Sequence, residues 1–196
     1  MKRRAEQVER TRDRIVEVAV RLHGTVGPAK TTIAGIAAAA GVTRLTVYRH
    51  FPDEESLYAA CSARWMSGQV MPDPVRWSKV PDPRDRLRAG LSDLYRYYRD
   101  GEAMLTRVLG DLDHMPEGMR RRISEAQAGY LRVLRAPFGA RARNKRLRAA
   151  LGHAASYWTW RSLCRDGGLS NRSAVQLMTG LVTTSSRAGH RGAPPS

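Results

Sequence analysis

The sequence predicts an all-α chain of about nine helices, on three observations. Apolar residues recur at i, i+3, i+4 and i+7 in one stretch after another, no stretch sustains the apolar/polar alternation of a strand, and the periodic stretches are bounded by capping residues, glycines or prolines. The first helix is expected from about Val8 to Leu22, with Ile15, Val18, Ala19 and Leu22 on one stripe and Gly24, Gly27 and Pro28 ending it. A short second helix follows Thr31-Thr32, where a threonine hydroxyl can accept from the free N–H groups; Ile33, Ile36, Ala37 and Ala40 carry its spacing and Gly41 breaks it. Thr43 caps a third helix that stops near Phe51-Pro52, because the residue before proline is pushed out of the α region. A fourth runs from Asp53 to about Ser67.

Val70 to Pro83 is a proline-punctuated connection and marks the expected domain boundary. Asp82 as cap and Pro83 at the first helical position open a fifth helix through Leu87, Leu91, Leu94, Tyr95 and Tyr98, closed by Gly101. Glu102 to about Asp113 and Glu117 to about Leu134 are the next two, separated at Met115-Pro116. One long helix is expected from about Arg143 to Arg165, closed by Gly167-Gly168, and Ser170 caps the last, with Ala174, Leu177, Met178, Leu181 and Val182 in register. The expected domains are therefore 1–53 as a helical head with 53–67 as connector, 68–185 as a second helical domain, and 186–196 as a disordered tail rich in Ser, Gly, Pro and Arg.

With 196 residues, 42% of them hydrophobic, the chain can bury a core without staples. Its two cysteines, Cys61 and Cys164, are too few for a disulfide framework or a thiolate zinc cluster. No signal-peptide stretch and no apolar run long enough to span a bilayer is present, so a cytoplasmic protein without membrane contact is expected. The net charge of +16 points to a polyanion only weakly. Thirty of the 34 cations are Arg, a bias that GC-rich codon usage produces by itself, and residues 1–60 carry only 10 cations against 7 anions. Arg120 to Arg122 and Arg141 to Arg148 are read as solvated helix faces on the same ground.

The informative segment is the pair of short helices around Gly41. Small Ala37 and Ala40 allow close crossing, Gly41 tolerates the positive φ of a tight turn, and Val42 and Val47 point inward. Thr43, Arg44, Leu45, Thr46, Tyr48 and Arg49 are left facing out, a mixture suited to a major groove, where Arg reads guanine edges or phosphates and Leu or a Thr methyl touches a thymine methyl. Taken singly, Arg44 and Arg49 are surface arginines, Tyr48 is a core aromatic with a polar tip, and His50 is a packing or capping residue as readily as a phosphate contact.

The string Thr31-Thr32-Ile33-Ala34-Gly35-Ile36-Ala37-Ala38-Ala39-Ala40-Gly41-Val42-Thr43-Arg44-Leu45-Thr46-Val47-Tyr48-Arg49-His50-Phe51, preceded by an amphipathic helix, resembles the DNA-binding domain of the TetR family of bacterial repressors. Beyond it the likeness rests on helix pattern and on Trp160 to Ala174, with Gly-Leu-Ser at 168–170. The resemblance implies a homodimer on a palindromic operator of double-stranded DNA, DNA contacts from Thr32, Thr43, Arg44, Leu45, Thr46, Tyr48, Arg49 and His50, dimerisation through the last two helices, and release by a small ligand of unknown identity. One departure stands out: the family usually carries a Lys after Phe-x-x for a phosphate contact, whereas Phe51-Pro52-Asp53 is followed here by Glu54 and Glu55. Backbone affinity then leans on Lys2, Arg3 and Arg4 with Thr32, Thr43 and Tyr48.

No nucleophile with its base, phosphate loop or carboxylate pair stands in a convincing context, so no catalytic role and no cofactor are expected. Asp111-Leu112-Asp113-His114 lacks a second cluster at metal spacing. A mostly apolar pocket is expected from some of Tyr95, Tyr98, Met104, Leu105, Leu109, His114 and Trp158, each of which is also an ordinary core residue when taken alone. The competing reading is a ligand-independent dimeric or architectural DNA-binding protein.

Overall fold

In the computed structural model, which describes residues 2–187, every regular element is helical. The described residues form eleven α-helices: α1 (Lys2–Thr25), α2 (Ile33–Ala40), α3 (Arg44–His50), α4 (Glu54–Ser67), α5 (Pro74–Ser78), α6 (Pro83–Asp100), α7 (Glu102–Gly110), α8 (Glu117–Arg135), α9 (Lys145–Ala154), α10 (Tyr157–Arg161) and α11 (Asn171–Arg187). Short 3₁₀ segments cover Pro28–Lys30, Leu112–His114 and Ala136–Arg143, and one π-turn covers Ser162–Asp166.

The eleven replace the expected nine for two local reasons. Asp73 accepts from Arg76 N at 3.0 Å with Pro74 at the first position, so the connection holds α5, started by the same Asp-Pro device that starts α6. The helix expected over 143–165 is broken. Its chain leaves the helix at Ala155-Ser156, where Ser156 adopts φ −74°, ψ 137° and its Oγ accepts from Trp158 N at 3.2 Å. The carbonyls released by the break are not orphaned: Tyr95 donates its hydroxyl proton to Ala154 O at 2.8 Å and Tyr98 donates to Ala155 O at 2.6 Å. Elsewhere the boundaries move by one to two turns. The first helix begins at Lys2 instead of Val8, since Lys2 to Gln7 are good helix formers without an apolar stripe to betray them. Glu102 opens a helix that stops at Gly110, short of Asp113, and the last helix continues to Arg187; the expected tail lies, from 188 onward, outside the described residues.

The chain divides into two compact units. Unit 1 takes the residues up to Val70 together with Gly101–Ser124, so it is larger than the head outlined from sequence. Within it α1 packs against α2, α3, α4 and α7 around Ile15, Val16, Val18, Ala19, Ile36, Ala37, Ala40, Val47, Phe51, Leu57 and Cys61. Unit 2 takes Met71–Asp100 and the residues from Glu125. There α11 packs on α6 and α9, and α10 on α6 and α9, over Leu87, Leu91, Leu94, Tyr95, Leu147, Leu151 and Trp160. Trp77, also buried, donates its indole N–H to Asp93 at 3.0 Å.

Gly90 on α6 lies where a β-carbon would overlap Leu134 Cδ2 and come within 3.4 Å of the Trp77 ring, whereas a β-carbon on Gly129 meets nothing. Gly90→Ala is therefore expected to destabilise unit 2 by about 1–2 kcal/mol despite alanine's better helix propensity. Gly129→Ala should stabilise it by about 0.5–1 kcal/mol, and denaturant titration of the two variants checks the opposite signs.

Candidate nucleic-acid interface

Two short helices form the candidate interface, and each is started by a threonine. Thr32 Oγ1 accepts from Gly35 N at 3.0 Å and Thr43 Oγ1 accepts from Thr46 N at 3.1 Å. Each cap satisfies one of the N–H groups that an α-helix leaves open at its start, worth about 1 kcal/mol. Between them Gly41 sits at φ 63°, ψ 39°, the left-handed turn that a β-carbon resists, and Val42 N donates to Ala37 O at 3.0 Å to close it. The helices are pinned from below by Ile36, Ala37, Ala40 and Val47, all buried, with Val42 partly buried against them.

Pinning the inner face fixes the outer one. Val47 is 0% exposed while Leu45 is 71% and Tyr48 is 49% exposed. Thr43, Arg44 and Arg49 are exposed as well, Thr46 and His50 are half-buried, and Thr32 is exposed at the start of α2. Every residue expected to face outward from α3 is therefore at least partly accessible. The hydroxyls of Thr43 and Thr46 also lie 2.9 Å apart, so both threonines hold the helix start while standing at its surface. Past the end of α3, Phe51 is buried and carries the Arg12 guanidinium over its ring at 5.2 Å, with His50 tilted against the same ring.

The acidic start of α4 has a structural role. Asp53 Oδ1 accepts from Ser56 N at 2.7 Å, and that bond, followed by the Ser56 side chain, holds the Asp53 carboxyl below its ordinary value of 3.8. Glu55 turns toward α8: a β-carbon on Gly118 would overlap its carboxylate, and Arg122 lies 3.9 Å from Glu55 Oε1. Sequence reading missed this, and it missed Asp111, whose Oδ2 accepts from Ala29 N at 2.9 Å across 82 residues. No local pattern announces either contact. Among the described residues no group of three His, Cys, Asp or Glu is gathered as a metal site, and His114 is exposed.

The residues named for a pocket are divided between the two units. Met104, Leu105, Leu109 and His114 belong to unit 1, and Tyr95, Tyr98 and Trp158 to unit 2. Tyr95 and Tyr98 are buried with their hydroxyls engaged and their rings tilted against each other; Tyr98 also meets Tyr157 edge-on and is tilted against Trp160, and Trp158 is 47% exposed. Burial pushes both tyrosine hydroxyls well above their ordinary value. Cys61, buried in unit 1, is raised to about 12 by burial and carries no thiolate character.

Residues 15–61 match the family model of bacterial regulatory proteins, tetR family. An uncharacterised HTH-type transcriptional regulator of Mycobacterium tuberculosis is 33% identical over 103 residues, 51% of this chain and 50% of that protein. The HTH-type transcriptional regulator AcrR of Shigella flexneri is 41% identical over 54 residues (28% of this chain, 25% of that protein), and TtgR of Pseudomonas putida is 42% identical over 60 (31% and 29%). The chain thus spans about half the length of the first of these relatives and less of the others. A solved structure from Clostridium perfringens, described as a fatty acid metabolism regulator, shares the fold with a TM-score of 0.60 at 18% identity, covering 88% of this chain and 97% of that one. Among the described residues no helix is long and apolar enough to cross a membrane.

His23, in the last turn of α1, is 5% exposed and stacks on Tyr58 of α4, ring centroids 4.8 Å apart and 9° from parallel. Burial lowers its pKa from 6.5 to about 4. The unfolded chain then binds one more proton than the folded one between those values, so this contribution is complete above pH 6.5 and is lost as pH falls toward 4. Denaturant titrations at pH 7 and pH 4.5 should show a loss of about 2–3 kcal/mol that His23→Phe abolishes.

Proposed function

We propose that this chain, a member of the tetR family by its residues 15–61, is a sequence-specific DNA-binding regulator: a repressor that sits as a homodimer on a palindromic operator and is released by a small ligand. The observation that carries the reading is the outer face of α3. Leu45 stands 71% exposed between Arg44 and Arg49, on a helix whose opposite residue, Val47, is completely buried. A capped, rigid helix that offers cations, hydroxyls and an uncovered Leu fits a major groove, where the cations meet phosphate or guanine and the Leu is covered by a thymine methyl. Thr32, Thr43 and Tyr48 are assigned to the sugar-phosphate backbone with His50, and Arg3 and Arg4 at the start of α1, both exposed, extend the cationic surface.

The homodimer is supported by α11. Its inner face buries Ala174, Val175, Met178 and Val182 in unit 2, while Leu177 and Leu181 are 51% and 43% exposed with Gly180 beside them, an apolar strip that a second copy covers in a four-helix arrangement. A two-fold dimer requires an inverted repeat. Ligand release is supported in unit 2 by the Thr179 hydroxyl, buried without a hydrogen-bond partner among the described residues, and by the aromatic cluster of Tyr98, Tyr157, Trp158 and Trp160. Unlike the ligand reading, a ligand-independent dimer is favoured by the engaged hydroxyls of Tyr95 and Tyr98, which fill the core where an anchor would stand. Neither reading uses a catalytic residue.

Selection of duplexes from a random pool should yield an inverted repeat. On the selected duplex Arg44→Ala is expected to cost about 1–3 kcal/mol and relax preference at one base of each half-site, whereas Tyr48→Phe should weaken selected and random duplexes alike. Equal losses on both duplexes for Arg44→Ala would contradict base readout.

A further inference from the structure

Resting on that reading, we propose that residues 101–124 are a brace that sets how the helix-turn-helix is presented, acting through two carboxylate latches: Asp111 on the turn before α2 and Glu55 on the start of α8. Both latches lie within unit 1, and they flank α2 and α3 on either side in sequence.

The first latch supplies a cap that the local sequence cannot. In the 3₁₀ turn Pro28–Lys30, Gly27 stands at the cap position without a side chain, and Pro28 has no N–H to satisfy. The next open donor is Ala29 N–H, and it is Asp111, just past the end of α7, that accepts it at 2.9 Å. Gly27 has φ 91°, and a β-carbon there would overlap Asp111 Oδ2, so the close approach of carboxylate and turn requires a glycine twice over. From this point the turn is tied directly into α2: Thr31 Oγ1 donates to Gly27 O at 2.8 Å, Thr31 N donates to Pro28 O at 3.0 Å, and Thr32 is the α2 cap.

The second latch is on the far side of α3. Glu55, in the first turn of α4, lays its carboxylate on Gly118 in the first turn of α8, where the open N–H groups favour a negative charge, and Arg122 stands one turn further on at 3.9 Å. The Arg122 pair is half-exposed and weak by itself. The contact depends on a glycine at 118, since a side chain there would push the exposed carboxylate aside, and it holds the two helices together with the Ser62–Met119 contact. Ser62 Oγ donating to Met119 Sδ at 3.8 Å joins the same two helices, and α7 packs along α1, the helix under α2 and α3. A shift of 101–124 against α1 must therefore carry the α2 turn and the α4 start with it or break both latches. Asp111 and Glu55 act through those elements and are positioning residues, apart from the DNA-facing set.

The test uses the full chain, a duplex selected by the wild-type protein from a random pool, and a random-sequence duplex. Asp111→Ala removes the first latch. Gly118→Ala displaces Glu55 while improving helix propensity, so it breaks the second without weakening α8. Each is expected to lower the selected-to-random affinity ratio about tenfold and the double variant further, with thermal midpoints that keep all variants folded at the assay temperature. In the absence of DNA, amide exchange at Ala29 and at the cap-bonded amides of Gly35 and Thr46 should speed up about tenfold in Asp111→Ala. A merely structural defect would reduce binding to both duplexes in proportion and leave the ratio unmoved. A folded double variant with the wild-type ratio overturns the proposal. If Asp111→Ala does not fold, Asp111→Asn, which keeps the shape and removes the charge, decides on the same ratio. If the wild-type protein selects no duplex, the DNA-binding reading fails instead, and unchanged exchange at Ala29, Gly35 and Thr46 in Asp111→Ala then overturns the brace independently.

Discussion

Helices of eight and seven residues do not persist in water by themselves, because the cost of nucleating a first turn is recovered over only one or two more. That constraint governs unit 1. Stability for α2 and α3 has to come from burial of Ile36, Ala37, Ala40 and Val47 against Ile15, Val18 and Ala19 of α1, from the two threonine caps, and from a turn that only Gly41 makes without strain. Because each of these devices sits on the inner face or at an end, the outer face of α3 carries no packing duty. Its composition is therefore free to answer to a partner, and Leu45 exposed among arginines is the consequence.

The parts of the fold that were legible in the sequence are those decided within a few residues. Thr32, Thr43, Asp82 and Ser170 cap the helices they were expected to cap, Asp53 caps the helix it was expected to begin, and Gly41 takes the left-handed turn, because a cap or a turn is settled between one side chain and the next three N–H groups. The break at Ala155-Ser156 was not legible, since the apolar spacing runs on through Leu151, Ala154, Tyr157 and Trp160 and the carbonyls it frees are satisfied by tyrosines some sixty residues earlier. α5 was legible and overlooked: Asp73-Pro74 carries the same signal as Asp82-Pro83. For the candidate site, the outward set on α3 followed from the position of Val47, whereas the contacts of Asp111 and Glu55 depend on which helix the chain brings back, and no spacing encodes that.

Charge behaves in the same way. The total of +16 says little, but single charges at helix ends are specific. Asp53 caps α4, Glu55 faces the start of α8, and Asp111 completes a turn that a glycine and a proline leave open. Asp53 and Glu55 thus serve the packing of unit 1, while Arg44, Arg49, Arg3 and Arg4 stand exposed.

The outer face of α3, held by Val47 and the threonine caps, is the surface proposed to meet DNA. That assignment is tested most directly by amide chemical-shift mapping of labelled full-length protein titrated with its selected duplex. The largest perturbations are expected at Thr32 and along Thr43 to His50, with Val47 shifted through its neighbours. A saturable complex whose perturbations leave Arg44, Leu45, Tyr48 and Arg49 unmoved would contradict it.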